Sequence, residues 1–114
     1  PKKILDLLVV APCTGNTIAK LAGGIADSVV TLSAKSHLRN NRPLVIAVST
    51  NDGLGANAKN IGILLSRKHI FFVPFGQDDC SEKENSLVAH FDLIPDTIEI
   101  ALKEKQIQPL LRDY

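Results

Sequence analysis

Three short segments of this 114-residue chain carry side chains able to do chemistry. They are Pro12-Cys13-Thr14-Gly15-Asn16-Thr17, Ser49-Thr50-Asn51-Asp52-Gly53-Leu54-Gly55 and Pro74-Phe75-Gly76-Gln77-Asp78-Asp79. Each follows an apolar run and combines small or polar side chains with glycine, which lets a backbone approach a ligand closely. In the first, a helix starting near Asn16 or Thr17 would aim unpaired N–H groups and its positive dipole end at the loop. Thr14, Asn16 and Thr17 add short donors without filling the space. That chemistry suits a phosphate or a carboxylate. Plain helix capping uses the same residue types, and the segment is neither G-x-G-x-x-G nor a P-loop, so both readings stand.

Other reactive residue types favour structural roles. Cys13 at a helix start can be a nucleophile, because that position favours the thiolate; without a nearby His, a small buried cysteine is the expectation. Cys80, in the charged stretch "DDCSEKEN", reads as surface. His37, His69 and His90 have no metal-ligand spacing. The reading places His37 on a helix surface, His69 at the start of a strand and His90 on the last helix beside Phe91. Asp78 and Asp79 can form an acid/base pair or hold a divalent ion, although acidic residues after a strand are common. Lys35, Arg39 and Arg42 can face an anion or simply solvate a helix end. No catalytic residue is singled out, and no metal site is expected.

The elements that must position these segments follow from periodicity. The runs Leu5–Ala11, Leu44–Val48 and Ile70–Val73 are continuously apolar, as in strands of a parallel sheet covered on both faces. Helical spacing appears over Asn16–Ile25, from an Asp27 cap through "SVVTLSAKSHL", over Ala56–Lys68, and from near Ser86 to Leu102, where Pro95 should kink the helix or split it in two. The tail "KQIQPLLRDY" reads as an extension outside the core. Alternating strands and helices predict a three-layer αβα, Rossmann-like parallel sheet. Ligands of such sheets bind beyond the carboxyl ends of the strands, so the three segments should share one rim. Three doubly covered strands are few. The expectation is therefore that residues 1–114 form the C-terminal portion of a single larger domain, or that an oligomer partner covers the exposed faces.

Composition narrows the function. Net charge is +1, so no electrostatic argument favours nucleic acid or an anionic membrane surface. No apolar run approaches the roughly 20 residues of a membrane span. "PKKILDLLVV" lacks the small-residue cleavage site of a secretory leader. Two distant cysteines make no disulfide framework, so a cytoplasmic protein is expected.

At the loops the pattern becomes specific. "APCTGNTIAKLAGGIADSVVTLSAKS" resembles the flavoprotein family of flavin-dependent cysteine decarboxylases and their relatives, which carry a Pro-Ala-Ser-Ala-Asn-Thr loop and then an Ala-Asp segment. The resemblance implies FMN binding by Pro12, Thr14, Gly15, Asn16, Thr17 and Asp27. It implies a substrate role for Ser49, Thr50 and Asn51, where the decarboxylases have Pro-Ala-Met-Asn. This chain reads Val48-Ser49-Thr50-Asn51 and keeps only the Asn, which argues against cysteine decarboxylation. "RNNRPLVIAVSTNDGLGANAKNI", "KHIFFVPFGQDD" and "KQIQP" resemble a family member that forms part of a two-component oxidoreductase. That implies a small dicarboxylate substrate, NAD(P) on a partner subunit, a homo-oligomer, and flavodoxin-like strands preceding this segment. The helix after Asp27, with Val29, Val30, Leu32 and Ala34, offers more apolar positions than one buried face needs, which suits self-association.

Overall fold

The computed structural model describes residues 6–114. The elements run β1 (Leu8–Cys13), α1 (Gly15–Gly23), α2 (Val29–Arg39), β2 (Leu44–Thr50), α3 (Ala58–Leu65), β3 (Ile70–Phe72), β4 (Phe75–Gly76), β5 (Leu87–Ala89), a 3-10 turn (Phe91–Leu93) and α4 (Ile94–Ala101). Leu5, expected to open the first strand, lies outside the described residues.

β2 organises the sheet. It pairs in parallel with β1 over Leu44–Val48 and with β3 through Leu44–Ile46. Leu44 to Val48 are buried without interruption, as a doubly covered strand requires. The parallel Rossmann-like layer expected from the apolar runs is therefore present. β1 runs further than its apolar run and takes in Pro12. The pairing register shifts between Val10 and Cys13, leaving the exposed Ala11-Pro12 step unpaired, as suits a residue with no N–H to donate.

The C-terminal quarter departs from expectation. The long helix from Ser86 is instead a strand, a turn and a short helix. β5 runs antiparallel to the last residues of β2, with Ser49 opposite Val88 and Thr50 opposite Leu87, and it also pairs with β4. Apolar Leu87, Phe91, Ile94 and Ile98 have helical spacing, but Pro95 sits at the start of α4 and kinks nothing. Proline is well tolerated there because that N–H has no helical partner. The tail is not a loose extension. Phe75 N donates to Leu110 O (3.0 Å), Arg112 N donates to Phe75 O (3.1 Å), and Ile107 is buried. Gly76 permits this closeness, since a Cβ there would lie 2.1 Å from the Arg112 carbonyl oxygen.

The cap of α2 is Ser28 rather than Asp27. The Ser28 hydroxyl accepts from Thr31 N, and Thr31 Oγ1 accepts from Ser28 N, a reciprocal capping box. His37 is buried, not on a helix surface: it faces inward with Thr31 and Ala34, and Nδ1 donates to the Ser33 carbonyl. His90 lies in the loop after β5, stacked on Tyr114 at 4.2 Å, with Nε2 donating to Arg112 O. His69 takes a left-handed backbone (φ 70°); its carbonyl accepts from Leu44 N and its ring pairs with Glu104. No helix of the described residues is long and apolar enough to cross a membrane.

Candidate functional site

The first two polar segments meet at the carboxyl ends of β1 and β2. α1 starts at Gly15, one or two residues before the expected Asn16 or Thr17, with Thr14 as its N-cap residue. The Thr14 side chain makes no capping bond. The first N–H groups of any helix lack intrahelical partners, so the start of α1 is a set of open donors at the positive end of its dipole. Thr14 and Asn16 are exposed and Thr17 is half-buried at the same end.

The second segment is organised differently. Its polar groups satisfy one another around Asp52. The Thr50 hydroxyl donates to Asp52 Oδ1, and the Asn57 amide donates to both carboxylate oxygens at 3.0 and 3.2 Å. Asn60 donates to Asn57 Oδ1 at 2.8 Å. The bond from Thr50, then those from Asn57, hold the Asp52 carboxyl below its usual range. Thr50 and Asn57 are buried, whereas Asn51 between them is exposed at the rim.

Gly15 joins the two segments. A Cβ there would stand 2.8 Å from both Thr50 Oγ1 and Asn57 Nδ2, and 3.2 Å from Asp52 Oδ1. Only a hydrogen fits, so the start of α1 rests directly on the Asp52 network. Sequence reasoning placed Gly15, Thr50 and Asp52 in the rim loops but missed the part Asp52 plays in holding them, and missed Asn57 and Asn60 altogether. The signal available was the clustering of short hydrogen-bonding side chains on both sides of Gly53 and Gly55.

Other expected site residues fall elsewhere. Asp27 lies beyond the far end of α1, a helix length of roughly 13 Å from Thr14, and pairs with Lys20 at 3.2 Å. Ser49 is half-buried in β2 opposite Val88. Within the third segment Phe75 and Gly76 form β4, and Gln77 donates to Glu84 O. Asp79 caps its own turn, accepting from Glu82 N at 3.2 Å. Among the described residues no three His, Cys, Asp or Glu side chains are grouped to hold a metal. Cys13 is buried at the end of β1, and burial pushes its thiol up to about 12, so it is no nucleophile at neutral pH. Arg42 pairs with Asp6 at 3.4 Å. Arg67 grips the far end of α1, donating to the carbonyls of Leu21 (3.1 Å) and Ala22 (2.8 Å).

The start of α1, which the Thr14 side chain does not cap, thus lies beyond the end of a parallel strand. A family model described as Flavoprotein matches residues 1–101. The chain belongs to the flavoprotein family. It is 55% identical over 111 residues to the dipicolinate synthase subunit designated B of Bacillus subtilis (strain 168), covering 97% of this chain and 56% of that protein. It also resembles the crystal structure of the corresponding dipicolinate synthase subunit from Bacillus halodurans, with TM-score 0.97 and 50% identity over 99% of this chain and 58% of the other. The FMN-dependent cysteine decarboxylase SpaF is more distant, with TM-score 0.56 and 30% identity over 86% of this flavoprotein chain and 51% of the decarboxylase. The chain thus spans little more than half the length of these relatives.

Proposed function

We infer that this chain is the flavin- and anion-binding part of the dipicolinate synthase subunit designated B. In this reading it takes part in forming dipicolinate (pyridine-2,6-dicarboxylate) from dihydrodipicolinate during sporulation, in the cytoplasm of the mother cell. NAD(P) serves as oxidant on the partner dipicolinate synthase subunit, the one designated A. The observation that carries the reading is the uncapped start of α1, seated through Gly15 on the Asp52 network. The cradle suits an FMN phosphate: the N–H groups of Gly15, Asn16 and Thr17 and the hydroxyls of Thr14 and Thr17 would hold it beside Pro12. When bound, the flavin would supply a redox-active ring. The chain's own residues would bind and orient, with Asn51 and Ser49 toward the dicarboxylate and Thr50 fixing the second loop. The retained Asn51 without the decarboxylases' Pro-Ala-Met before it weighs against a decarboxylase-like enzyme.

The test is an absorbance spectrum of the full-length protein as purified and after adding FMN. A bound flavin spectrum, lost in a Thr14→Ala/Thr17→Ala variant, supports the reading. A protein that stays colourless and does not take up FMN refutes it. A second reading, in which the chain docks the partner subunit without taking part in chemistry, is favoured by one observation. The face of α2 presents Val29, 81% exposed, with Val30 and Leu32 also exposed. The same face supports a homo-oligomer. Light scattering on the full-length protein, with and without the partner subunit, separates the two: a monomer that gains mass only with the partner favours docking alone.

A further inference from the structure

Among the described residues β3 is an edge strand, paired with β2 on one side. Toward β2 the odd-numbered residues bond: His69 O accepts from Leu44 N at 2.7 Å, and Val73 N donates to Ile46 O at 2.9 Å. Backbone groups alternate sides along a strand, so Phe72 turns both its N–H and its C=O away from β2. No described strand lies there. The side-chain amide of Gln106 does. Its Oε1 accepts from Phe72 N at 2.8 Å and its Nε2 donates to Phe72 O at 2.6 Å. This is the paired exchange that a residue of a neighbouring strand would make.

Gln106 is held in place from both sides. Before it, Glu104 turns the chain with a left-handed backbone (φ 56°) and pairs with His69 at the foot of β3. After it, Ile107 is buried. The covered strand is one that would pair readily if uncovered. Its Ile70–Val73 stretch, "IFFV", is uncharged and made only of aromatic and β-branched residues. Such an edge is a template for another strand of the same kind.

We propose that Gln106 is an edge guard: its amide occupies the outward pairing position of β3 and keeps a second copy of this chain from adding its own Lys68–Pro74 segment there. The inference is independent of flavin binding, since Gln106 serves the β3 edge and not the α1 rim. The test compares full-length wild type, Gln106→Ala and Gln106→Glu by amide hydrogen exchange at Phe72 and by capture of a fluorescent peptide of residues 68–74. Gln106→Ala should exchange Phe72 at least ten-fold faster and bind the peptide at least ten-fold more tightly than wild type. Gln106→Glu, which keeps the acceptor and loses the donor, should fall between them. If Gln106→Ala is too insoluble to measure, Gln106→Glu carries the test with the same readouts. Phe72 exchange and peptide capture that match wild type in the measured variants overturn the proposal. Faster exchange without peptide capture overturns it too, because Gln106 would then only brace the strand.

Discussion

The loop after β1 and the loop after β2 are built from the same residue types and end in opposite states. Thr14, Asn16 and Thr17 surround an uncapped helix start. Thr50, Asp52, Asn57 and Asn60 satisfy one another in a closed chain of hydrogen bonds. The contrast shows that hydroxyls and amides at a strand end carry no fixed meaning. What decides is whether an acceptor lies within reach. Asp52 supplies one to the second loop, and among the described residues no carboxylate does the same for the first. A rigid, self-satisfied loop then forms the floor on which the open one rests.

Removing the acceptor should have the largest effect. Asp52→Ala leaves the buried Asn57 amide and the Thr50 hydroxyl without their partner, at a cost of about 3 kcal/mol given penalties of about 1–3 kcal/mol per buried unsatisfied group. Denaturant unfolding of the full-length protein measures it. A loss below about 0.5 kcal/mol would mean that water replaces the carboxylate and the second loop is not closed. Gly15→Ala comes next. Its Cβ must displace Thr50 or Asn57, costing about 2 kcal/mol by overpacking and prying the loops apart. The double variant Gly15→Ala/Thr50→Ala should recover part of that loss, as a double-mutant cycle would show.

Acidity probes the same network. The folded-state carboxyl of Asp52 lies below its ordinary value because Thr50 and then Asn57 donate to it. Its contribution is therefore full above the unfolded-state pKa of about 3.9 and is lost as pH falls through the lower folded value. Asp52→Asn should flatten the acid limb of the stability profile, measured by thermal unfolding between pH 3 and 7. The smallest effects compare two caps. Ser28→Ala breaks a working capping box and should cost about 1 kcal/mol. Thr14→Ala removes a side chain that caps nothing and should cost less than about 0.5 kcal/mol, while weakening phosphate or FMN binding measured by calorimetry. Equal costs for the two would erase the distinction between a capped and an open helix start.

The three parallel strands were legible because Leu44–Val48 and its neighbours are continuously apolar, a pattern that local chemistry alone produces. β5 was not. Leu87, Phe91 and Ile94 match a helix period as well as they match a strand and a turn, and only the antiparallel partner Ser49–Thr50 settles the choice. The cap of α2 slipped by one residue because Asp27 and Ser28 are both good caps, and Asp27 is taken by Lys20. The open loop could be read from Thr14 to Thr17. The closed one could not, because residues 50, 52, 57 and 60 converge only after two glycines fold the segment back. The tail's role was invisible for a similar reason: Gln106 meets Phe72 across 34 positions of chain.

The two thiols carry a practical consequence. Cys13 is sealed at the end of β1 with its proton held to about 12, while Cys80 stands exposed in the segment between β4 and β5. At neutral pH an alkylating dye therefore discriminates between them without any engineering. Within this stretch of chain the native sequence offers one addressable position, in a pocket it shares with Gly76, Arg112 and Tyr114 at the seam where the C-terminal tail crosses. A fluorophore placed there would report on the tail's attachment.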